Sequence, residues 1–105
     1  MSTLVGTSGH DELHGTSGSD VIQGKGGNDD ISGKGGKDWI CGAGGRDDLE
    51  GDKGADHLYG NAGNDEIEGD AGNDHLFGNA GTDDLEGDAG TDTCKSGEHV
   101  QTCER

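Results

Sequence analysis

Aliphatic residues recur at every ninth position along most of this chain. From Gly6 to Lys95 the sequence divides into ten nine-residue units without an insertion or deletion. The eighth position of each unit is Leu or Ile nine times and Cys94 once, whereas glycine and polar residues dominate the other positions. A strict period this short predicts a stacked repeat, in which each unit buries its apolar residue only against its neighbours.

The last three positions of each unit predict a short β-strand. Side chains alternate along a strand, so position 8 is expected to face the core while positions 7 and 9 face solvent. Leu4 falls at position 8 of a unit before the first, so residues 3–5 predict a half-unit strand that covers the N-terminal end of the core; a frayed terminus is the alternative. The predicted core consists of Leu13, Ile22, Ile31, Ile40, Leu49, Leu58, Ile67, Leu76 and Leu85.

Glycine and aspartate have fixed places in every unit. Positions 1 and 4 are Gly in all ten units, and position 6 is Asp in all ten. Glycine tolerates positive φ and close backbone approach, so this spacing indicates a turn whose carbonyls can point at an ion. Carboxylate oxygens are hard ligands that favour Ca²⁺ over softer metals. The candidate side-chain ligands are Asp11, Asp20, Asp29, Asp38, Asp47, Asp56, Asp65, Asp74, Asp83 and Asp92, with turn carbonyls around Gly6, Gly15, Gly24, Gly33, Gly42, Gly51, Gly60, Gly69, Gly78 and Gly87.

The repeated unit resembles the RTX, or hemolysin-type calcium-binding, nonapeptide G-G-x-G-x-D-x-U-x. Residues 60–68 read GNAGNDEIE and residues 69–77 read GDAGNDHLF, and the resemblance covers residues 6–95. It implies an all-β fold: a right-handed parallel β-roll (β-solenoid) of about five two-unit coils, with six residues of calcium-binding turn and three of strand per unit. It also implies that unit n shares an ion with unit n+2. Two rows of five turns then have four gaps each, a ceiling of about eight Ca²⁺ ions.

Position 2 departs from the family pattern because it is never Gly in this chain. The early units carry Thr, Lys or Ala there, and several later units carry Asn or Asp. Cations in or beside turns three to five weaken calcium binding unless they point outward, which is the interpretation we favour; they are Lys25, Lys34, Lys37 and Arg46. We therefore expect the best calcium sites in the late turns, joining Asp56 to Asp74, Asp65 to Asp83 and Asp74 to Asp92.

Composition favours a chain whose folding depends on a bound cation. The 105 residues allow one domain, only 25% of them are hydrophobic, and the formal net charge is −16, all of which is typical of a disordered polypeptide. Stacked Asp columns would also repel one another. Cations between them remove this repulsion, and their binding energy is also folding energy. We therefore interpret the chain as a calcium-binding structural module that folds on Ca²⁺ binding.

Several other classes of function are disfavoured. Seven Lys and Arg against 23 Asp and Glu argue against nucleic-acid binding, and no apolar stretch is long enough for a membrane span. No nucleophile–base arrangement stands apart from the repeat, which indicates a non-enzymatic chain. Two alternatives stay open: an adhesion module that binds glycan or protein, and a detached repeat tail of a secreted enzyme or toxin. An extracellular location is expected, although no export signal is visible in this chain.

The strand flanks alternate with a period of 18 residues and predict two different outer faces. Odd units carry mostly acidic residues at positions 7 and 9, and even units carry all three aromatic residues. An exposed aromatic patch often marks an interface, so a homodimer, a neighbouring domain or a glycan could contact this face. Cross-strand packing that stiffens the sheet is the alternative. The candidate binding face consists of Trp39, His57, Tyr59, His75 and Phe77.

The C-terminal end breaks the repeat and predicts a cap. Cys94 occupies a core position, and Cys103 lies nine residues further on, close enough to fold back. Because a solenoid needs capped ends, we predict a Cys94–Cys103 disulfide with Val100 over the last core layer, in an oxidising compartment. Cys41 is then an exposed free thiol or an intermolecular bridge. The predicted organisation is residues 1–5 as an N-terminal half-unit strand, 6–95 as ten repeats, and 96–105 as the cap.

Overall fold

The fold consists of short strands joined by regular turns. The computed structural model describes the backbone of residues 2–95 and 99–101 and the side chains of residues 3–95. Within these residues all regular structure is β-strand, and no helix could cross a bilayer. The strands are β1 (Ser2–Val5), β2 (Glu12–His14), β3 (Asp20–Gln23), β4 (Asp30–Ser32), β5 (Trp39–Cys41), β6 (Asp48–Glu50), β7 (His57–Tyr59), β8 (Glu66–Glu68), β9 (His75–Phe77), β10 (Asp84–Glu86), β11 (Thr93–Lys95) and β12 (His99–Gln101).

The strands form two parallel six-stranded sheets. One sheet, here called the even sheet, has the order β1-β3-β5-β7-β9-β11, and the odd sheet has the order β12-β10-β8-β6-β4-β2. Repeat strands pair with the strand two units away, so that Ile40 lies opposite Leu58 and Leu49 lies opposite Ile67. This register confirms the predicted all-β parallel solenoid of about five turns.

The core is a double column of position-8 side chains between the sheets. Eight of the nine predicted core residues are buried; they are Ile22, Ile31, Ile40, Leu49, Leu58, Ile67, Leu76 and Leu85. Leu13, which was predicted to belong to this core, is only partly buried, as are Leu4 and Cys94. These three side chains lie in the terminal layers, where neighbouring layers cover one side only.

Each end of the roll has an additional strand in one of the two sheets. At the N-terminal end β1 pairs with β3 and places Leu4 opposite Ile22, at the position of the predicted half-unit strand. At the other end β12, which the repeat pattern did not predict, pairs with β10 and brings Val100 into register with Leu85. Cys103 lies outside the described residues, so its disulfide with Cys94 stays a prediction.

Glycine has two different functions in the turns. Position-4 glycines of turns three to ten have positive φ, from 83° to 103°. A Cβ on Gly63 would also collide with the carbonyl oxygen of Gly45, the equivalent glycine one coil earlier. Position-1 glycines lack positive φ, but a Cβ on Gly51 would lie 2.6 Å from Oδ2 of Asp56. Position 1 is therefore Gly because the carboxylate of its own unit occupies that space.

Candidate metal centres

The six-residue turns stack in two rows, one along each long edge of the roll. All hydrogen bonds described between stacked turns join residues about one coil, or 18 positions, apart. For example, the backbone N–H of Arg46 donates to Oδ1 of Asn28, and that of Thr82 donates to Oδ1 of Asn64. Turns one, three, five, seven and nine thus form one row and the even-numbered turns form the other, as the resemblance implied.

Position-6 aspartates form a ladder inside each row. In all eight gaps between stacked turns, the backbone N–H of one Asp donates to Oδ1 of the Asp 18 residues later, at 2.8 or 2.9 Å. Asp74, for example, accepts from Asp56 and donates its own N–H to Asp92. All ten Asp except the half-buried Asp11 are buried. One carboxylate oxygen thus holds two coils together.

In six aspartates of this ladder, the second carboxylate oxygen points into the protein without a hydrogen-bond donor. These six Oδ2 atoms are buried and have no hydrogen-bond partner; they belong to Asp29, Asp38, Asp47, Asp56, Asp65 and Asp74. A buried anionic oxygen left unsatisfied is strongly unfavourable, which indicates a missing positive partner. A divalent cation that prefers oxygen fits this donor set.

Oxygens from two successive turns of a row meet beside the position-1 glycines of turns one to three, Gly6, Gly15 and Gly24. A Cβ placed on Gly24 would lie 2.6 Å from Oδ2 of Asp29 in its own turn and 3.2 Å from the carbonyl oxygen of Gly42, one coil later. This space is too small for a methyl group and is bordered by a carboxylate oxygen, a carbonyl oxygen and, at 3.1 Å, Cδ1 of Ile31. Both oxygens are ligand types that Ca²⁺ uses, which favours ion sharing between units n and n+2.

Burial makes these carboxyl groups hard to ionise without a cation. Desolvation raises the pKa of Asp38 to about 6, of Asp47, Asp65 and Asp74 to about 7, and of Asp56 to about 8. The backbone N–H bond opposes this rise in pKa, and the charge of a stacked Asp adds to it. The central carboxyls therefore bind protons near neutral pH, and a cation must compete with those protons.

The first two turns satisfy their carboxylates differently. The backbone N–H of Thr7 donates to Oδ2 of Asp11 at 2.6 Å, and the Thr7 hydroxyl lies 3.0 Å from Oδ1 of the same carboxylate. Thr16 makes the same pair of contacts to Asp20, at 2.7 and 3.0 Å. Both oxygens of Asp11 and of Asp20 therefore accept hydrogen bonds within their own turn.

Position 2 has a left-handed backbone in turns three to ten, with φ between 65° and 70°. Asn and Asp adopt this conformation more readily than other residues, which gives a conformational reason to rank late turns above early ones. Lys25, Lys34 and Ala43 hold the same φ at a higher cost. The side chains of Lys25, Lys34, Lys37 and Arg46 are exposed, in agreement with the outward interpretation.

A second group of carboxylates, missed by sequence reasoning, lies along one edge of the odd sheet. Glu50, Glu68 and Asp70 bring one oxygen each within 4.8 Å of one another, and Glu68, Glu86 and Asp88 do the same. Each group combines position 9 of odd units with position 2 of an even turn. Glu68 and Asp70 are close in the sequence, but Glu50 lies 18 residues before Glu68, and only the coil geometry brings it beside them.

The five residues of the predicted binding face do lie on one surface, the outer side of the even sheet. Their rings stack along the coil axis: Trp39 on His57 at 4.0 Å between centroids, His57 on His75 at 4.8 Å, and Tyr59 on Phe77 at 5.0 Å. Parallel rings at this spacing present mainly their edges to solvent. This arrangement favours cross-strand packing, because a stacked sugar needs an exposed ring face.

One further side chain lies beside this aromatic ladder. Cys41 is a free, half-buried thiol, and its sulfur lies 2.9 Å from Nδ2 of Asn61. It is therefore less exposed than the alternating strand pattern predicts.

Comparison with known proteins agrees with this geometry. The profile of the RTX calcium-binding nonapeptide repeat (4 copies) matches residues 5–40, 42–76 and 61–94. No curated protein and no solved structure matches the chain. The matched region is a non-catalytic, calcium-binding repeat module. The profile covers most of the chain, and the chain therefore belongs to the RTX calcium-binding nonapeptide-repeat family, the hemolysin-type calcium-binding repeats.

Proposed function

We propose that this chain is a structural module whose β-roll forms when Ca²⁺ binds between stacked turns. The observation that carries the proposal is the row of buried Oδ2 atoms without a hydrogen-bond donor. Six such oxygens on a chain of formal net charge −16 would oppose folding unless cations offset them. Calcium then acts as part of the core.

The ligands we propose are the position-6 carboxylates of turns three to ten with the carbonyls of the position-1 glycines of adjacent coils. The pair of oxygens beside Gly24, from Asp29 and Gly42, supports this choice. The repeat register extends it along both rows, and one ion per gap gives at most about eight ions. Their charge of about +16 would balance the formal net charge of −16. Calcium bound per chain, measured by native mass spectrometry, tests this ceiling.

Far-UV circular dichroism tests the coupling between folding and calcium. The chain in chelator is expected to give a spectrum of disordered polypeptide, and millimolar Ca²⁺ should produce a strand spectrum. Mg²⁺ at the same concentration should substitute poorly, because it demands a tighter octahedron and gives up water reluctantly. A chain that is equally folded in chelator would refute the coupling, and equal action of Mg²⁺ would refute the proposed ligand set.

A second role, contact with another copy of the chain, is favoured by the charge distribution. The ten outward repeat positions of the even sheet hold no Asp or Glu, whereas eight of the ten on the odd sheet are acidic. Two copies of a chain of net charge −16 can therefore approach with least repulsion through their even sheets. Trp39, 47% exposed, lies in this acid-free surface.

Sedimentation analysis in calcium tests this contact. Trp39→Ser should weaken self-association, and His14→Ser on the odd sheet is the matched control that should leave it unchanged. A wild-type chain that stays monomeric at high concentration would remove the even sheet as a dimer surface and leave its ladder as internal packing only.

The organisation of the chain completes the proposal. We propose residues 1–5 and 96–105 as caps on the ten repeats of residues 6–95, with Cys94–Cys103 closing the second cap. The family is typical of secreted proteins, and millimolar calcium outside cells would fold the module after export. The repeats could equally serve as one part of a larger secreted enzyme or toxin.

A further inference from the structure

The first coil, residues 6–23, has a turn geometry of its own. In turn one the hydroxyl of Thr7 accepts the N–H of Gly9 at 3.1 Å while it donates toward the Asp11 carboxylate. Turn two repeats this pattern with Thr16, Gly18 and Asp20. Together with the backbone N–H of the threonine, these contacts connect positions 2, 4 and 6 in one closed network.

The backbone of these two turns differs in the same places. Positions 2 and 4 have positive φ in turns three to ten, but neither Thr7 and Gly9 nor Thr16 and Gly18 do. A β-branched residue adopts positive φ only at a high cost. Threonine at position 2 therefore disfavours the conformation of the later turns and supplies the donors that satisfy the carboxylate instead.

We propose that threonine replaces calcium in turns one and two, so that the roll has a metal-independent N-terminal coil. Asp11 and Asp20 then bind no ion although they match the repeat pattern. This inference rests on the proposed function, because it concerns which turns the calcium sites use. The first ions are then held by Asp29 and Asp38, in the gaps between turns three and five and between turns four and six.

The first coil also supplies the backbone donors that hold the position-6 carboxylates of the second coil. The N–H of Asp11 donates to Oδ1 of Asp29 and the N–H of Asp20 donates to Oδ1 of Asp38, both at 2.8 Å. Both acceptor residues belong to the first turns with an open Oδ2. Turns one and two thereby orient the first calcium-binding carboxylates without needing ions of their own, as a cap must.

The test combines hydrogen exchange with ion counting. The double variant Thr7→Val/Thr16→Val keeps the β-branched shape and removes the hydroxyl. The matched control is Thr82→Val/Thr91→Val, the same chemical change at position 5, where the backbone N–H makes the described bond to Asn. A third variant, Asp11→Asn/Asp20→Asn, changes the carboxylates themselves.

We expect all three variants to bind as many Ca²⁺ ions as the wild type. In saturating calcium, Thr7→Val/Thr16→Val should exchange the amides of residues 6–23 roughly tenfold faster, because the hydroxyl bonds that close these turns are lost. The control should leave this exchange unchanged. Unaltered protection in the Thr7→Val/Thr16→Val variant, or a lower ion count in the Asp11→Asn/Asp20→Asn variant, would overturn the proposal. A wild-type chain that binds no calcium would instead overturn the proposed function.

Discussion

Replacing Asp74 by Asn should change stability in opposite directions with and without calcium. Asp74 is buried, its Oδ1 accepts the N–H of Asp56 at 2.9 Å, and its Oδ2 has no hydrogen-bond donor. Asparagine has nearly the same shape and retains one acceptor for the N–H of Asp56. What the substitution removes is the charge and one anionic oxygen.

The size of the effect without calcium follows from the pKa of Asp74. Desolvation and the neighbouring carboxylates raise this pKa from an ordinary value of 3.8 to about 7. At pH 7 the unfolded side chain is ionised, so bringing it into the fold costs about 4 kcal/mol, at about 1.4 kcal/mol for each pH unit between the two values. Asparagine avoids this cost, and the calcium-free roll should gain stability of that order, less what the imperfect amide contact loses.

The effect with calcium has the opposite sign. Replacing the carboxylate beside a buried cation by an amide removes an anionic partner of that cation, which lowers the stability of the calcium-loaded roll by on the order of 3 kcal/mol. We therefore expect Asp74→Asn to bind fewer ions and to gain less stability from calcium than the wild type does. Asp11→Asn is the control, because both oxygens of Asp11 already accept hydrogen bonds from Thr7.

The assay is folding driven by an osmolyte, which brings the calcium-free chain into a measurable range. The trimethylamine oxide midpoint, followed by circular dichroism in chelator at pH 7, should fall for Asp74→Asn and change little for Asp11→Asn. Urea midpoints in calcium should then show the smaller calcium-induced gain for Asp74→Asn. A higher osmolyte midpoint for Asp74→Asn, or an unchanged ion count, would refute the interpretation of the open oxygens.

Three further predictions concern pH, the backbone and the C-terminal cap. The pKa values are raised, from about 6 for Asp38 to about 8 for Asp56, so the calcium-free roll binds more protons than the unfolded chain. Its stability in chelator should therefore fall as pH rises from about 4 to about 8, and calcium addition should release protons in a weakly buffered titration. Stability that rises with pH would contradict this. Ala43→Gly should stabilise the calcium-loaded roll by about 1 kcal/mol in urea unfolding because φ is 67° at this position, and Ala71→Gly, without positive φ, should not. Non-reduced peptide mapping should find Cys94 joined to Cys103, and two free thiols there would refute the covalent cap.

The sequence was sufficient for the repeat, for eight of the nine core residues and for the stacking of the aspartates, because these depend on period alone. A fixed spacing of nine places Ile40 opposite Leu58 and Asp56 beside Asp74 whatever the turn conformation is. The function of each glycine needed coordinates. Two glycines per unit, at positions 1 and 4, suggest that those two residues are left-handed. The left-handed residues are instead at positions 2 and 4, as in Asp52 and Gly54, and Gly51 at position 1 makes room for the carboxylate of Asp56.

The first coil shows why a match to the repeat pattern does not by itself assign a ligand. Thr7 and Thr16 look like ordinary variation at position 2, which the pattern leaves open. Their effect arises from a side-chain hydroxyl that reaches a carboxylate four residues away, a contact that depends on side-chain direction. The triplet of Glu50, Glu68 and Asp70 was missed for a related reason, since it combines residues from three units at two different positions.

The two oxygens of each ladder aspartate explain why calcium and fold are difficult to separate in this molecule. Oδ1 closes a hydrogen bond to the preceding coil, which requires the carboxylate to be buried, and burial raises the free energy of the charged Oδ2. Replacing Asp by an apolar residue would remove the charge but also the inter-coil bond, and retaining Asp retains the need for a cation. A threonine at position 2 is the one alternative that the described turns contain, and it meets the need for donors within a single turn. The chain uses it in turns one and two, through Thr7 and Thr16.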